Sequence, residues 1–98
     1  MVTKIDNNRL NLKMNKSLTE EFLEPLKKEL VSIDFNNRKY SSIFIDASDV
    51  TEIDFFGFQM IALFYSYLVD TLMYQKVNIN LKKSDIFEKF ENKMRIII

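Results

Sequence analysis

The stretch IFIDASDVTEIDFFGFQMIALFYSYL, residues 43–68, decides the fold, because its apolar pattern changes period midway. At its start Ile43 and Ile45 alternate with Phe44, a run short enough for a strand buried on both faces, as in parallel sheets. From Asp54 onward the pattern is helical: Phe58, Ile61, Ala62, Tyr65, Leu68, Val69 and Leu72 recur at three- and four-residue spacing. This predicts one inward stripe on a helix at 54–74. Between strand and helix lies an acidic loop, and Phe55, Phe56 and Phe58 surround the only glycine, Gly57. A strand leading through a polar loop into a helix is the repeating unit of an α/β sheet.

Working outward, VTKI and RLNLKM are short alternating segments separated by DNN, which reads as a β-hairpin because Asp and Asn tolerate left-handed backbone angles. In the second arm Leu10, Leu12 and Met14 fall on one face, with Asn11 and Lys13 on the other. Next comes KSLTEEFLEPLKKELVSIDF, where Ser17 and Glu20 fit a capping box. Leu18, Phe22, Leu26, Leu30 and Ile33 give that helix its apolar stripe. Pro25 cannot donate to the Glu21 carbonyl, so a kinked first turn or a start near Glu24 is expected. Downstream, KVNINL alternates again through Val77, Ile79 and Leu81. Ser84 is placed to cap a last helix carrying Ile86, Phe87, Phe90 and Met94, and RIII at 95–98 reads as a short strand. The expected architecture is α/β, in the order β-β-α-β-α-β-α. It has a mixed β-sheet, an N-terminal hairpin followed by parallel strands, with helices packed on it.

Ninety-eight residues are enough for one domain, 1–98, with a single core. Hydrophobic residues make up 47% and charged residues 29%, a globular balance. With 14 basic and 14 acidic residues the formal net charge is zero. Lys27, Lys28, Lys82, Lys83, Lys89 and Lys93 are scattered among acids, which argues against nucleic acid as a partner. The chain has no cysteine and no histidine, which removes disulfides, thiolate chemistry and imidazole general bases. Its one glycine supplies no phosphate-cradling loop, so no cofactor is expected. MVTKIDNNRL lacks the apolar core of a secretory signal, and the expectation is a cytoplasmic protein.

Asp54 stands where an N-cap belongs, accepting from free N–H groups of the first turn and complementing the helix dipole. Asp46, Asp49, Glu52 and Asp54 are close enough in sequence to hold a divalent ion in principle. The simpler reading is a solvated acidic loop, with no metal. Nothing supplies a nucleophile, an oxyanion hole or a cofactor, so an enzyme is not expected. Gly57 suits a close approach of the helix start to the sheet or a tight corner. Phe58 belongs to the core. Phe55 and Phe56 precede the settled stripe, and at least one should project outward. From Phe55 to Val69 the helix has no charge, and Met60, Phe64, Tyr67 and Met73 make its opposite face apolar as well. A twin subunit, another protein or a neighbouring element of the same chain could cover that face. Gln59, Ser66 and Asp70 interrupt the stretch, and it is too short for a comfortable membrane span, so direct membrane insertion is not expected.

The residues 43–68 resemble the central segment of STAS domains, the fold of bacterial anti-sigma-factor antagonists. The fold also occurs in stressosome subunits, anion transporters and a small subunit of a lipid-trafficking ABC transporter. Asp46, Val50, Thr51, Ile53, Asp54 and Gly57 stand at matching positions. Through KVNINLKKSDIFEKF the likeness spans roughly residues 41–92. The resemblance implies a non-enzymatic protein–protein interaction module of bacterial signalling or regulation. It would present the loop 46–54 and the first turn of the following helix to a cytoplasmic partner. Asp49, Thr51, Glu52, Asp54, Phe55, Phe56, Gln59 and Met60 are the expected docking residues. The partner implied is an anti-sigma or related kinase-like protein, a signalling scaffold or a transporter ATPase, and a homodimer is a further option. In switchable STAS relatives the residue after the second Asp is a phosphorylated Ser or Thr. Phe55 takes that place here and has no hydroxyl, which leaves Ser48 and Thr51 as the nearby phosphoacceptor candidates. The other readings implied are an accessory subunit of a lipid-trafficking transporter and a nucleotide- or lipid-binding module.

Overall fold

Asn7 and Asn8 both adopt positive φ, 50° and 65°, the backbone that joins two strands through a two-residue turn matching their twist. They connect β1 (Val2–Asp6) to β2 (Arg9–Lys13) as an antiparallel hairpin in the computed structural model, which describes residues 1–36 and 40–81. The chain continues through β3 (Ser17–Leu18), α1 (Glu20–Val31), β4 (Ser42–Ala47), β5 (Glu52–Ile53), α2 (Phe55–Ser66), a π-helical turn (Tyr67–Thr71) and β6 (Val77–Leu81). The expected last helix at 84–94 and the strand at 95–98 lie outside the described residues.

The main sheet has the order β1-β2-β4-β6, with β2, β4 and β6 parallel. The result is the mixed sheet expected, a hairpin followed by parallel strands. Register places Leu10 beside Ile43 and Leu12 beside Ile45, with Val77 and Ile79 next along. Leu10, Leu12, Ile43 and Ile45 are fully buried and join Leu26, Leu30, Phe58, Ile61 and Leu68 in one core. Among the described residues, α1 and α2 therefore cover a single face of the sheet.

The opposite face is polar, and this corrects the reading of β4 as buried on both sides. Phe44 is half-buried on the open face, with the Arg9 guanidinium 5.4 Å from its ring centroid. A cation over the face of a ring is a favourable way to finish an apolar side chain left outside the core.

A second sheet, not anticipated from the sequence, pairs β3 with β5 in parallel, Ser17 opposite Glu52 and Leu18 opposite Ile53. It corrects the start of the first helix. Ser17 is in a strand and donates its hydroxyl to Glu52 Oε2 at 2.9 Å, so it caps nothing. The helix α1 begins at Glu20 and runs through Pro25. Its buried positions Leu26 and Leu30, with half-buried Leu23, centre the inward arc between Leu23 and Leu26. Phe22 sits on the rim of that arc and stays 47% exposed, against the stripe expected for it.

Through α2 and the π-helical turn that follows it, the inward stripe is as expected at Phe58, Ile61 and Leu68. Tyr65, on the same face, keeps 37% of its surface in solvent, as a ring with a hydroxyl at its tip does. Met73, with φ 62°, closes this element in the left-handed conformation, and Tyr74 N–H returns to Leu68 O at 3.0 Å. No helix among the described residues is long and apolar enough to cross a membrane.

Candidate functional site

Residues 46–60 gather at the end of β4. The strand delivers Asp46, whose Oδ1 accepts from Ser48 N–H at 3.0 Å and turns the chain. Ser48, by its hydroxyl first and its backbone N–H second, holds the Asp46 carboxyl below the ordinary carboxylate value. Val50 is buried and anchors the loop, while Asp49, Thr51 and Glu52 are exposed. Asp49 pairs with Lys13 on β2 at 3.0 Å, and this hydrogen bond and charge raise the Lys13 pKa above its ordinary value. Both side chains of that pair are about half exposed, so its contribution to stability is small. The Thr51 hydroxyl and the Thr51 and Glu52 N–H groups all point to Lys16 O, which ties the loop to the segment before β3.

Asp54 is the centre of the arrangement. Its Oδ1 accepts from Gly57 N–H at 2.8 Å, the N-cap bond of α2 anticipated from the sequence. Its Oδ2 accepts from Glu20 N–H, also at 2.8 Å, in the first turn of α1. Thr19, the residue at the N-cap position of α1, gives no side-chain cap, and its buried hydroxyl has no hydrogen-bond partner. One carboxylate thus serves two helix N-termini and meets the positive ends of both dipoles.

Gly57 makes this convergence possible. A Cβ at that position would lie 1.7 Å from Leu18 O and 2.7 Å from Leu18 C, backbone atoms that cannot yield cheaply. The first turn of α2 therefore rests directly on the β3 main chain, and Asp54 N–H reaches Leu18 O at 3.4 Å. Of the close approach and the tight corner left open for this glycine, the close approach holds.

The aromatic rings divide as follows. Phe58 is in the core, Phe55 is half-buried, and Phe56 is 51% exposed. The Phe55 and Phe56 rings meet edge to face with centroids 6.3 Å apart, a favourable aromatic geometry. Gln59 is exposed and Met60 half-buried one turn on. Of the expected docking residues, Asp49, Thr51, Glu52, Phe56 and Gln59 are exposed and Phe55 and Met60 are half-buried. Asp54 has both carboxylate oxygens engaged. Ser48 is half-buried and Thr51 exposed. Among the described residues no three carboxylates stand close enough together to hold a metal ion.

An open apolar groove of about 640 Å³ lies between α1 and α2, with Phe56, Gln59 and Met60 in its lining. Leu23, Lys27 and Val31 line it from α1, and Phe56, Leu63 and Tyr67 from α2, with Phe35 and Phe64 deeper. Sequence reasoning identified the second apolar face of α2 but not its division. Phe64 turns to an internal partner, its ring 5.5 Å from that of Phe35, while Leu63 remains 63% exposed. The signal available was the 4-3-4 spacing of Phe56, Met60, Leu63 and Tyr67, a seam suited to another helix.

No protein-family model, no curated protein and no solved structure matches this chain.

Proposed function

We propose that the chain is a STAS-type protein–protein interaction module of bacterial signalling or regulation, without enzymatic activity. It docks a cytoplasmic partner through the acidic loop and the Phe-rich first turn of α2. The observation that carries this reading is Phe56, half out of solvent contact on a helix start whose position is fixed by Asp54 and Gly57. Fully burying a phenylalanine is worth roughly 1.5–3 kcal/mol, and a partner covering this ring gains the part now forgone.

The hairpin, the parallel strands and the Asp-capped helix after an acidic loop support the STAS likeness. Phe55 stands where switchable STAS proteins carry a hydroxyl, so docking here is constitutive. Incubation with a kinase-like partner and ATP should leave Asp54–Phe58 unmodified by mass spectrometry. Phosphate within that segment would remove the constitutive reading.

The direct test compares the native chain with Phe56→Ser in quantitative recovery of partners from native cytosol. A partner lost with Phe56→Ser and with Glu52→Lys identifies the docking surface. Equal recovery by all three proteins would end the proposal. An ATPase subunit as the Phe56-dependent partner would assign the chain to a transporter, and a kinase-like protein would assign it to a signalling cascade.

A further inference from the structure

β1 is the outer strand of the main sheet, and all five of its residues are exposed. Its two-residue turn makes Asp6 and Arg9 the closing hydrogen-bonded pair of the hairpin. Bonded and non-bonded pairs then alternate along the strand. Val2, Lys4 and Asp6 therefore bond to β2, while the N–H and C=O of Thr3 and Ile5 point away from it. Among the described residues nothing pairs with those outward groups. The side chains alternate as well. Lys4 and Asp6 stand on the polar face of the sheet, and neither forms an ion pair among the described residues. Ile5 stands on the helix-bearing face beside Leu10 and remains 60% exposed. It is the outer end of an apolar row, Ile5, Leu10, Ile43 and Val77, that crosses all four strands.

We infer that β1 pairs antiparallel with β1 of a second copy about a two-fold axis through Ile5, joining the two main sheets into one. Such an axis keeps each face of the sheet on its own side, so only residues on the same face can oppose each other. Charge then sorts the registers. An axis through Lys4 sets Lys4 against Lys4, and one through Asp6 sets Asp6 against Asp6, both repulsive. An axis through Val2 or Thr3 leaves both charges without an opposite partner. The axis through Ile5 sets Lys4 of each copy against Asp6 of the other, twice. These are non-hydrogen-bonded positions, where facing side chains come closest. In this register the outward N–H and C=O of Ile5 bond those of its counterpart, and those of Thr3 face Asn7. Ile5 meets Ile5, which carries the apolar row across both copies without a break. A lysine in mid-edge commonly guards against strand pairing; here it rejects the wrong register and favours one. A single strand pair is small beside the roughly 1,600 Å² of a standard interface, so the association is weak and depends on concentration. No residue of the docking surface proposed above takes part, and neither inference rests on the other.

Sedimentation equilibrium of the native chain should show the mass rising from 11.7 kDa towards twice that value as protein is concentrated. Over the same range hydrogen exchange at the Thr3 and Ile5 amides should slow by about tenfold or more. Lys4→Glu and Asp6→Lys should each weaken association by about tenfold, and the double exchange should restore it. The chain lacks cysteine, so Ile5→Cys and Thr3→Cys each supply a single thiol. A short bis-maleimide should join chains carrying Ile5→Cys, whose backbones face each other at about 5.5 Å across the axis. It should not join chains carrying Thr3→Cys, which lie about 14 Å apart along the strands. The mass of one chain at every concentration, with both amides exchanging freely, would leave the edge bare and end the inference. The same mass with both amides protected would assign the edge to another part of the same polypeptide. Protection of both amides only on addition of a protein recovered from cytosol would give the edge to a strand of that protein. Cross-linking through Thr3→Cys but not Ile5→Cys, or failure of the double exchange to restore association, would remove the axis. None of these variants touches α2 or the loop before it, so failure of self-association leaves the docking test intact.

Discussion

The two helices start from one carboxylate and cover one face of one sheet, yet they treat solvent differently. Over twelve residues α1 carries six charged side chains, Glu20, Glu21, Glu24, Lys27, Lys28 and Glu29, so its outer surface is largely that of a solvated helix, with Phe22 and Val31 as exposed apolar exceptions. Over the same length α2 carries none. Its core face buries Phe58 and Ile61, while Phe56, Leu63 and Tyr65 stay exposed. Leaving a leucine in water forgoes roughly 1.5–3 kcal/mol of burial, and a monomer gains nothing from it. The contrast separates a helix built to meet water from a helix built to meet another surface, and it puts the functional weight on α2.

The sharpest way to break this comparison is Gly57→Ala. A methyl group 1.7 Å from Leu18 O cannot be accommodated without lifting α2 off β3. Urea titration should show a loss of about 3 kcal/mol or more, or no folded protein. Next in size is Asp54→Ala, which removes both caps and should cost about 2–3 kcal/mol, with faster amide exchange in the first turns of both helices. Asp54→Asn keeps one acceptor oxygen and should recover a large part of that loss. Thr19→Ala, by contrast, should stay within roughly 0.5 kcal/mol, because the hydroxyl it removes makes no bond. If Thr19→Ala cost as much as Asp54→Ala, the shared cap would be wrong.

Leu63→Ser and Lys28→Ser sharpen the contrast between outer faces. Both should leave monomer stability within roughly 0.5 kcal/mol by thermal unfolding, and only Leu63→Ser should alter partner docking. The smallest effect is expected from pH. Asp46 has a folded pKa below the ordinary value of 3.8, so its contribution is fully present above that value. It is lost as pH falls through the lowered folded pKa. Ser48→Ala should shrink this acid limb in a pH series of urea midpoints. The limb for Lys13 runs the other way, since its pKa is raised: stability is present below 10.5 and lost at more alkaline pH. Asp49→Asn should remove it.

Much of this was legible in the sequence where local pattern and tertiary context agree. The asparagine turn, the alternation in β2 and β4, the Asp54 cap and the stripe through Phe58, Ile61 and Leu68 all follow from period and side-chain chemistry. Ser17 misled because a Ser-x-x-Glu pattern is local, whereas what residues 17 and 18 pair with lies 35 residues away at β5. The second bond of Asp54 was illegible for the same reason. The exposure of Phe22 depended on where α1 starts, and the division of Phe64 and Leu63 between inside and outside depended on Phe35. No periodicity on α2 alone contains either fact.

The shared carboxylate has a bearing on the order in which the chain acquires structure. The N–H of Glu20 has its acceptor 34 residues further along, past β4, which lies beside β2 in the sheet. The first turn of α1 is thus completed by a long loop closure, not by its own nucleation. A spectroscopic reporter at position 20 would read out the moment at which the two halves of the polypeptide come together.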